Sequence, residues 1–246
     1  MSGASMWMEI VFDVCYLAVV WTLVALMVRN GARVAKADWP VARRLIWAFA
    51  LLALGDSGHV GFRVVAYALG DLSAKPVIFG VPVSLVGVGA LATAITVTCF
   101  YMLMVDVWRR RFAKPLGWAG WTLLAMGVAR LAVMTLPQNQ WELTTAPYPW
   151  GLVRNFFLTV QGLGVMALFF RDAGRAHDTT FTWVAIMIAL SYTFYAPVIL
   201  WVDKMPLLGM LMMPKTLAYL GVALIAYRAF WGGAAQTATT PAAAEA

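Results

Sequence analysis

The stretch VIFGVPVSLVGVGALATAITVTCFYMLMV, residues 77–105, runs for 29 residues without one charged side chain. An α-helix rises about 1.5 Å per residue, and roughly 20 apolar residues cross a hydrocarbon core of about 30 Å. We therefore predict a transmembrane helix in this stretch. It is longer than one crossing needs, so we expect it to tilt or to protrude on one side.

Six more apolar stretches flank it along the chain. Numbered in chain order as spans one to seven, with 77–105 as span three, the stretches are 7–28, 45–69, 77–105, 116–136, 151–170, 181–202 and 206–230. The chain is 63% hydrophobic and only 12% charged, with a mean hydropathy of +0.79, whereas soluble domains are about 25% charged. We predict an all-α protein: one seven-helix transmembrane bundle over residues 1–231, followed by a disordered cytoplasmic tail, 232–246, which is rich in Gly, Ala and Thr.

Positively charged residues alternate between the loops. The basic residues that follow spans one, three and five are Arg29, Arg33, Lys36, Arg43, Arg44, Arg109, Arg110, Arg111, Lys114, Arg171 and Arg175, and Arg228 closes span seven. The opposite loops hold only Lys75 and Lys204. The positive-inside rule then predicts a multi-pass protein of the cell membrane with its N-terminus outside and its C-terminus in the cytoplasm. The formal charge of +7 is explained by topology, so the lipid bilayer is the expected partner and nucleic acid is not.

Ionisable side chains inside the spans are the main functional signal. A charge at mid-membrane costs roughly 2.5–3.5 kcal/mol even on the lenient insertion scale, so each one needs a reason. Span two contains GDSGHVGFR, residues 55–63. Spacings of three, four and seven residues place Asp56, His59 and Arg63 on one helical face. The intervening glycines let a neighbouring backbone or a ligand approach closely.

Other spans contribute polar candidates at a similar depth. The remaining candidates within spans are Asp13 in span one, Arg130 in span four, Arg154 and Asn155 in span five, Tyr192 in span six, and Lys215 and Tyr219 in span seven. In the predicted orientation the ionisable groups lie between the midplane and the outer surface, above a nearly apolar inner half. This asymmetry predicts a polar cavity that opens outward and is closed beneath by a hydrophobic plug.

The outer segment 136–142, LPQNQWE, has two interpretations. It is either a turn with a tryptophan anchor at the membrane interface or a lid over the cavity, to which Asn139 and Trp141 contribute. The two histidines, His59 and His177, are far apart in sequence and do not form a usual zinc site, so we predict no metal. The sequence leaves the cofactor unknown.

We predict that the cavity binds, and chemically modifies if it is an enzyme, a small amphipathic or lipid-like molecule. Arg63, Arg130 and Arg154 would hold an anionic head group. Asp56, His59 and Lys215 are the candidate catalytic residues, the first two for proton transfer, and the other candidates are expected to bind the ligand. Whether the protein is an enzyme stays open. An alternative without any ligand is that Asp56 pairs with Arg63 or Lys215 and only holds the helices together.

Two further functions remain open. A lysine in the seventh span is typical of a retinal-type photoreceptor or pump, in which Lys215 would form a Schiff base. Span three has no acidic residue at mid-depth and position 211 is a leucine, so Asp56 would have to serve as counterion. A proton-coupled transporter would use Asp, His and Arg as a relay, but the apolar inner half and the absence of an internal repeat count against it.

Three stretches resemble motifs of other proteins. ARLAVMTLPQNQW at 129–141, WGLVRN at 150–155 and GMLMMPKTLAY at 209–219 resemble uncharacterised bacterial seven-span integral membrane proteins that share PQN-x-W and PKT-x-x-Y motifs. The resemblance covers spans four to seven and implies a shared ligand or reaction in a bacterial membrane. The Gly55-Asp56 pair also resembles the lysoplasmalogenase family, over these two residues.

Overall fold

The computed structural model describes residues 3–73, 75–78, 80–143 and 147–232. Its seven long helices are α1 (Gly3–Arg29), α2 (Trp39–Ala68), α3 (Leu85–Arg111), α4 (Gly117–Met134), α5 (Tyr148–Ala176), α6 (Thr179–Trp201) and α7 (Met212–Trp231). Within these residues, seven helices are long and apolar enough to cross a membrane, so the predicted helical class and number of spans are confirmed. The predicted tail lies outside the described residues, apart from Gly232.

Short elements join the helices. Three 3-10 turns, Gly31–Arg33, Pro137–Asn139 and Pro206–Leu211, lie before α2, after α4 and before α7. Two-residue strands β1 (Val77–Ile78) and β2 (Val81–Pro82) pair antiparallel before α3. We refer below to the upper end, where α1, α3, α5 and α7 begin, and to the lower end, where they finish.

Helix α3 begins eight residues later than the start of the apolar stretch at 77. Gly80 has a φ of +82° and Pro82 lacks an N–H, so these positions favour a hairpin over a helix. The Ser84 side chain then caps the helix, because its Oγ accepts a hydrogen bond from the Gly87 N–H at 3.2 Å. Hydrophobicity alone therefore overestimated the helix at this end.

The largest buried side chains pack at the lower half of the bundle. Met27, Phe49, Met104, Phe169 and Phe181 are each at most 1% exposed. They lie near the end of an odd-numbered helix or the beginning of an even-numbered one, and they belong to one continuous cluster. Apolar burial at this density leaves little space between the lower halves of the helices.

Asp106 organises an ion cluster at the lower end. Its carboxylate accepts from the Arg44 Nε of α2 at 2.8 Å, and it lies 3.0 Å and 2.9 Å from Arg109 and Arg110 on its own helix. Predicted span three stopped one residue before this aspartate. The cluster connects α2 to α3 below the apolar core.

Two further polar contacts join helices at the same level. The Trp108 indole donates to the buried Asp172 carboxylate at 2.8 Å and connects α3 to α5. Arg111 lies 3.1 Å from Asp38 and 2.8 Å from Asp178, which precede α2 and α6. Ion pairs and apolar packing together join the helices at the lower end.

Gly87 allows the segment after α4 to lie directly on α3. A Cβ atom at Gly87 would collide with the backbone carbonyl of Trp141. We expect Gly87→Ala to destabilise the fold by about 1–3 kcal/mol, because a backbone atom must move to admit the methyl group. Thermal unfolding in detergent measures the change.

Gly61 on α2 provides the matched control, since a Cβ there meets no atom within 4 Å. Gly61→Ala should leave the melting temperature unchanged or slightly raised, because alanine has the higher helix propensity. A Gly87→Ala protein that melts at or above the parent temperature would contradict the close contact.

Candidate functional site

Asp56 lies just above the middle of α2 and contacts α1. The Tyr16 hydroxyl, which is buried, donates to the Asp56 Oδ2 at 3.0 Å. The Asp56 carboxylate also interacts electrostatically with Lys215 of α7. Asp13, which is half-buried one helical turn above Tyr16, interacts electrostatically with the same tyrosine. The first, second and seventh helices therefore meet at an acidic group.

Lys215 points at aromatic rings on two helices. Its Nζ lies 4.2 Å from the ring centroid of Tyr195 on α6 and 5.9 Å from that of Tyr219, one turn further along α7. The cation and the faces of the two rings attract each other. The lysine is half-buried among these side chains, so its charge lies within the bundle.

Arg130 is almost fully buried, at 3% exposure, and connects three helices. From α4 its Nη1 donates to Thr98 Oγ1 at 2.6 Å and to the Ala94 carbonyl at 3.0 Å, both on α3. Its Nε donates to the Arg154 carbonyl of α5 at 3.1 Å. All of these acceptors are neutral oxygens. The hydrogen bonds are satisfied, but none of them neutralises the positive charge.

Arg154 lies in the upper part of α5, against the Trp141 ring. Its guanidinium carbon lies 4.2 Å from the Trp141 ring centroid. Its Nη1 is buried and has no hydrogen-bond partner among the described residues. The arginine is thus held by a ring face and retains donor capacity for another group.

Asn139 and Trp141 cap the end of α4. The Asn139 Nδ2 donates to the carbonyls of Val133 and Leu136 at 2.7 and 2.9 Å, and the Trp141 Nε1 donates to that of Met134 at 3.0 Å. The last carbonyls of a helix lack intrahelical partners, which explains these contacts. The geometry gives segment 136–142 the role of a capped turn that covers Arg154.

Hydroxyl groups connect α3, α5, α6 and α7 at the next level down. The Tyr195 hydroxyl donates to Asn155 Oδ1 at 2.9 Å, and the buried Tyr192 hydroxyl donates to the Leu158 carbonyl at 2.8 Å. The hydroxyls of Tyr219 and Tyr101 lie 2.7 Å apart. Three candidates from the sequence, Asn155, Tyr192 and Tyr219, therefore belong to one polar layer.

His59 and Arg63 continue the polar face of α2 above Asp56. Both are half-buried, and Arg63 acts electrostatically on His59. The backbone of His59 packs against Gly89 of α3, and its Nδ1 is buried without a hydrogen-bond partner among the described residues. The predicted common face of α2 is therefore directed into the bundle at His59.

Sequence reasoning missed several polar neighbours of the site. The omitted residues are Tyr16, Thr98, Tyr101, Gln161 and Ser191. A hydroxyl group costs little free energy in an apolar span, so there was no reason in the sequence to single out the four hydroxyl residues, Tyr16, Thr98, Tyr101 and Ser191. Gln161 could have been singled out, because an amide inside an apolar span needs hydrogen-bond partners.

Positive charge exceeds negative charge where the helices meet. Arg130 repels both Arg154 and Lys215 electrostatically, and Asp56 is the carboxylate that acts on Lys215. Within the described residues no group of three or more His, Cys, Asp or Glu side chains could hold a metal ion.

No protein-family model, curated protein or solved structure matches this chain. The resemblance to bacterial seven-span proteins stays a prediction.

Proposed function

We propose that the chain is a multi-pass protein of a bacterial cytoplasmic membrane, with the upper end facing outward and the C-terminus in the cytoplasm. The basic residues of the lower end support this orientation. Exposed cations such as Arg33, Lys36 and Arg43 follow α1 there, whereas the upper loops contain few. Cytoplasmic loops carry such an excess of Lys and Arg.

We propose that the upper half of the bundle binds a small anionic amphipathic molecule. One observation carries this proposal: buried Arg130 of α4 hydrogen-bonds to the backbone of Arg154 on α5 and lies within electrostatic range of the cations of both Arg154 and Lys215 on α7. Uncompensated like charges in a low-dielectric bundle are unfavourable. A bound carboxylate, phosphate or sulfate group would offset their repulsion and accept the hydrogen bonds that Arg154 still offers.

The apolar part of such a molecule has a suitable environment below and beside its head group. The rings of Trp141, Tyr195 and Tyr219 already pack on the cations, and the hydrophobic core begins beneath them. Asn155, Tyr192, Asp13 and Arg63 would complete the lining. The apolar packing and ion pairs of the lower half support a site entered from the upper end rather than a continuous path across the membrane.

Any chemical modification of the ligand would use Asp56, His59 and Lys215. The carboxylate of Asp56 is held by Tyr16, and the Nδ1 of His59 has no partner among the described residues. A carboxylate and an imidazole on one helical face provide an acceptor and a donor for proton transfer.

Native mass spectrometry of the detergent-purified protein tests the binding proposal. We expect a co-purifying small anionic amphiphile, whose adduct disappears when the protein is delipidated and returns when an extract of the host membrane is added. Repeated preparations that carry no adduct, and that take none up from the extract, would reject the proposal.

A second candidate function is a retinal-type photoreceptor or pump. The electrostatic contact between Lys215 and Asp56 favours it, because a protonated Schiff base needs a carboxylate counterion. Adding retinal would then produce a visible absorbance band that hydroxylamine bleaches. The absence of such a band would dispose of this candidate.

A further inference from the structure

Gln161 is a fully buried amide in the middle of α5. It is 0% exposed, and both its Oε1 and its Nε2 lack a hydrogen-bond partner among the described residues. A buried amide in this state is costly, because water no longer solvates it and no protein group replaces the water. A leucine or methionine would fill the same space without that cost, so the amide needs an explanation.

The surroundings of Gln161 place it directly beneath the cationic site. Its Nε2 lies against Gly127 of α4, where a Cβ atom would be 2.6 Å away, and the Met102 side chain of α3 packs at the same point. Arg130 lies one helical turn above Gly127, and Thr98 lies one turn above Met102. The amide therefore faces the same junction of α3, α4 and α5 that Arg130 connects.

Two features suit this amide to pairing with a bound molecule once Met102 moves aside. An amide offers two N–H donors and a carbonyl acceptor, so it can pair with either a hydroxyl or a carbonyl group. Met102 is half-buried, and an unbranched thioether side chain moves aside more easily than a branched one. On the α4 side, Gly127 presents only its backbone to the amide.

We propose that Gln161 hydrogen-bonds to an oxygen carried on the apolar part of the ligand, so that the ligand is an anionic amphiphile with a mid-chain hydroxyl or carbonyl group. This inference rests on the proposed function. Gln161 lies seven residues below Arg154 on α5, about 10 Å along the helix axis. That separation sets the distance between the anionic head group and the second oxygen.

The test compares two probe molecules and one variant. Isothermal titration calorimetry in detergent measures binding of stearate and of a hydroxystearate with its hydroxyl at mid-chain. We expect the parent protein to bind the hydroxy acid about tenfold more tightly, the effect of one hydrogen bond. Gln161→Met should bind both acids with the affinity that the parent shows for stearate, and should melt at the parent temperature or above it.

Leu168→Met is the matched control, since it places methionine at another buried position of α5 and should keep the preference for the hydroxy acid. Equal binding of the two acids by the parent protein would overturn the inference and leave the proposed function standing. A lower melting temperature for Gln161→Met would overturn it too, because the amide would then be structural. Binding of neither acid would count against the proposed function itself.

Discussion

Lys215→Met is expected to weaken the binding of an anionic amphiphile about 100-fold. Methionine retains much of the length and apolar surface of the side chain but removes its charge. Hydrogen bonds between charged partners contribute about 1.5–3 kcal/mol each, and 1.4 kcal/mol corresponds to a factor of ten in affinity. Calorimetric titration with stearate, in parallel with native mass spectrometry of the purified variant, measures the loss.

Lys204→Met controls for the loss of one positive charge. Lys204 is exposed in the turn after α6 at the same end of the bundle, so its replacement should leave the affinity within about twofold, as expected for a screened surface charge. Unchanged binding by Lys215→Met, or an equal loss in both variants, would show that Lys215 does not hold the head group.

Asp106→Asn is expected to produce a large loss of stability without touching the upper site. Asparagine keeps the shape of the side chain but leaves Arg44, Arg109 and Arg110 facing one another without a carboxylate. The Asp106 side chain is 28% exposed, so we expect a cost of about 1–3 kcal/mol, less than for a fully buried pair. Thermal unfolding in detergent at low salt measures it.

Asp203→Asn is a suitable comparison for this variant. Asp203 is exposed after α6, so removing its charge should barely change the melting temperature. High salt should narrow the difference between Asp106→Asn and the parent protein, because salt screens the arginines. Equal melting temperatures for Asp106→Asn and the parent at low salt would refute the role given to the lower ion cluster.

The helical class and the number of membrane-crossing helices were accessible from the sequence. Apolar length determines where a chain can cross a membrane, and that property is local. The same reasoning failed at the beginning of α3, where Gly80 and Pro82 stop the helix although the stretch stays apolar. Backbone conformation decided that boundary, and hydrophobicity did not.

The side-chain contacts of the site residues could not be predicted from the sequence. Nothing in the sequence pairs Tyr16 with Asp56, or Tyr195 with Lys215, because these contacts depend on how the helices are rotated against each other. The outer segment shows the same limit. The sequence did not distinguish a turn from a lid. The capping hydrogen bonds of Asn139 and Trp141 depend on where α4 ends, which the sequence does not specify.

We propose that the inward-facing polar groups of the upper half are reached from outside the cell and not from the cytoplasm. Single cysteines in a background with Cys15 and Cys99 replaced by serine test it, with a small anionic membrane-impermeant methanethiosulfonate as the probe. His59→Cys reports on the site, while Lys204→Cys and Arg175→Cys report on the two exposed ends.

We predict that reagent added to intact cells modifies His59→Cys and Lys204→Cys but spares Arg175→Cys, and that inverted vesicles give the opposite pattern. Modification of His59→Cys from the cytoplasmic side, or none from either side while Lys204→Cys reacts fully, would show that these polar groups are not reached from outside the cell.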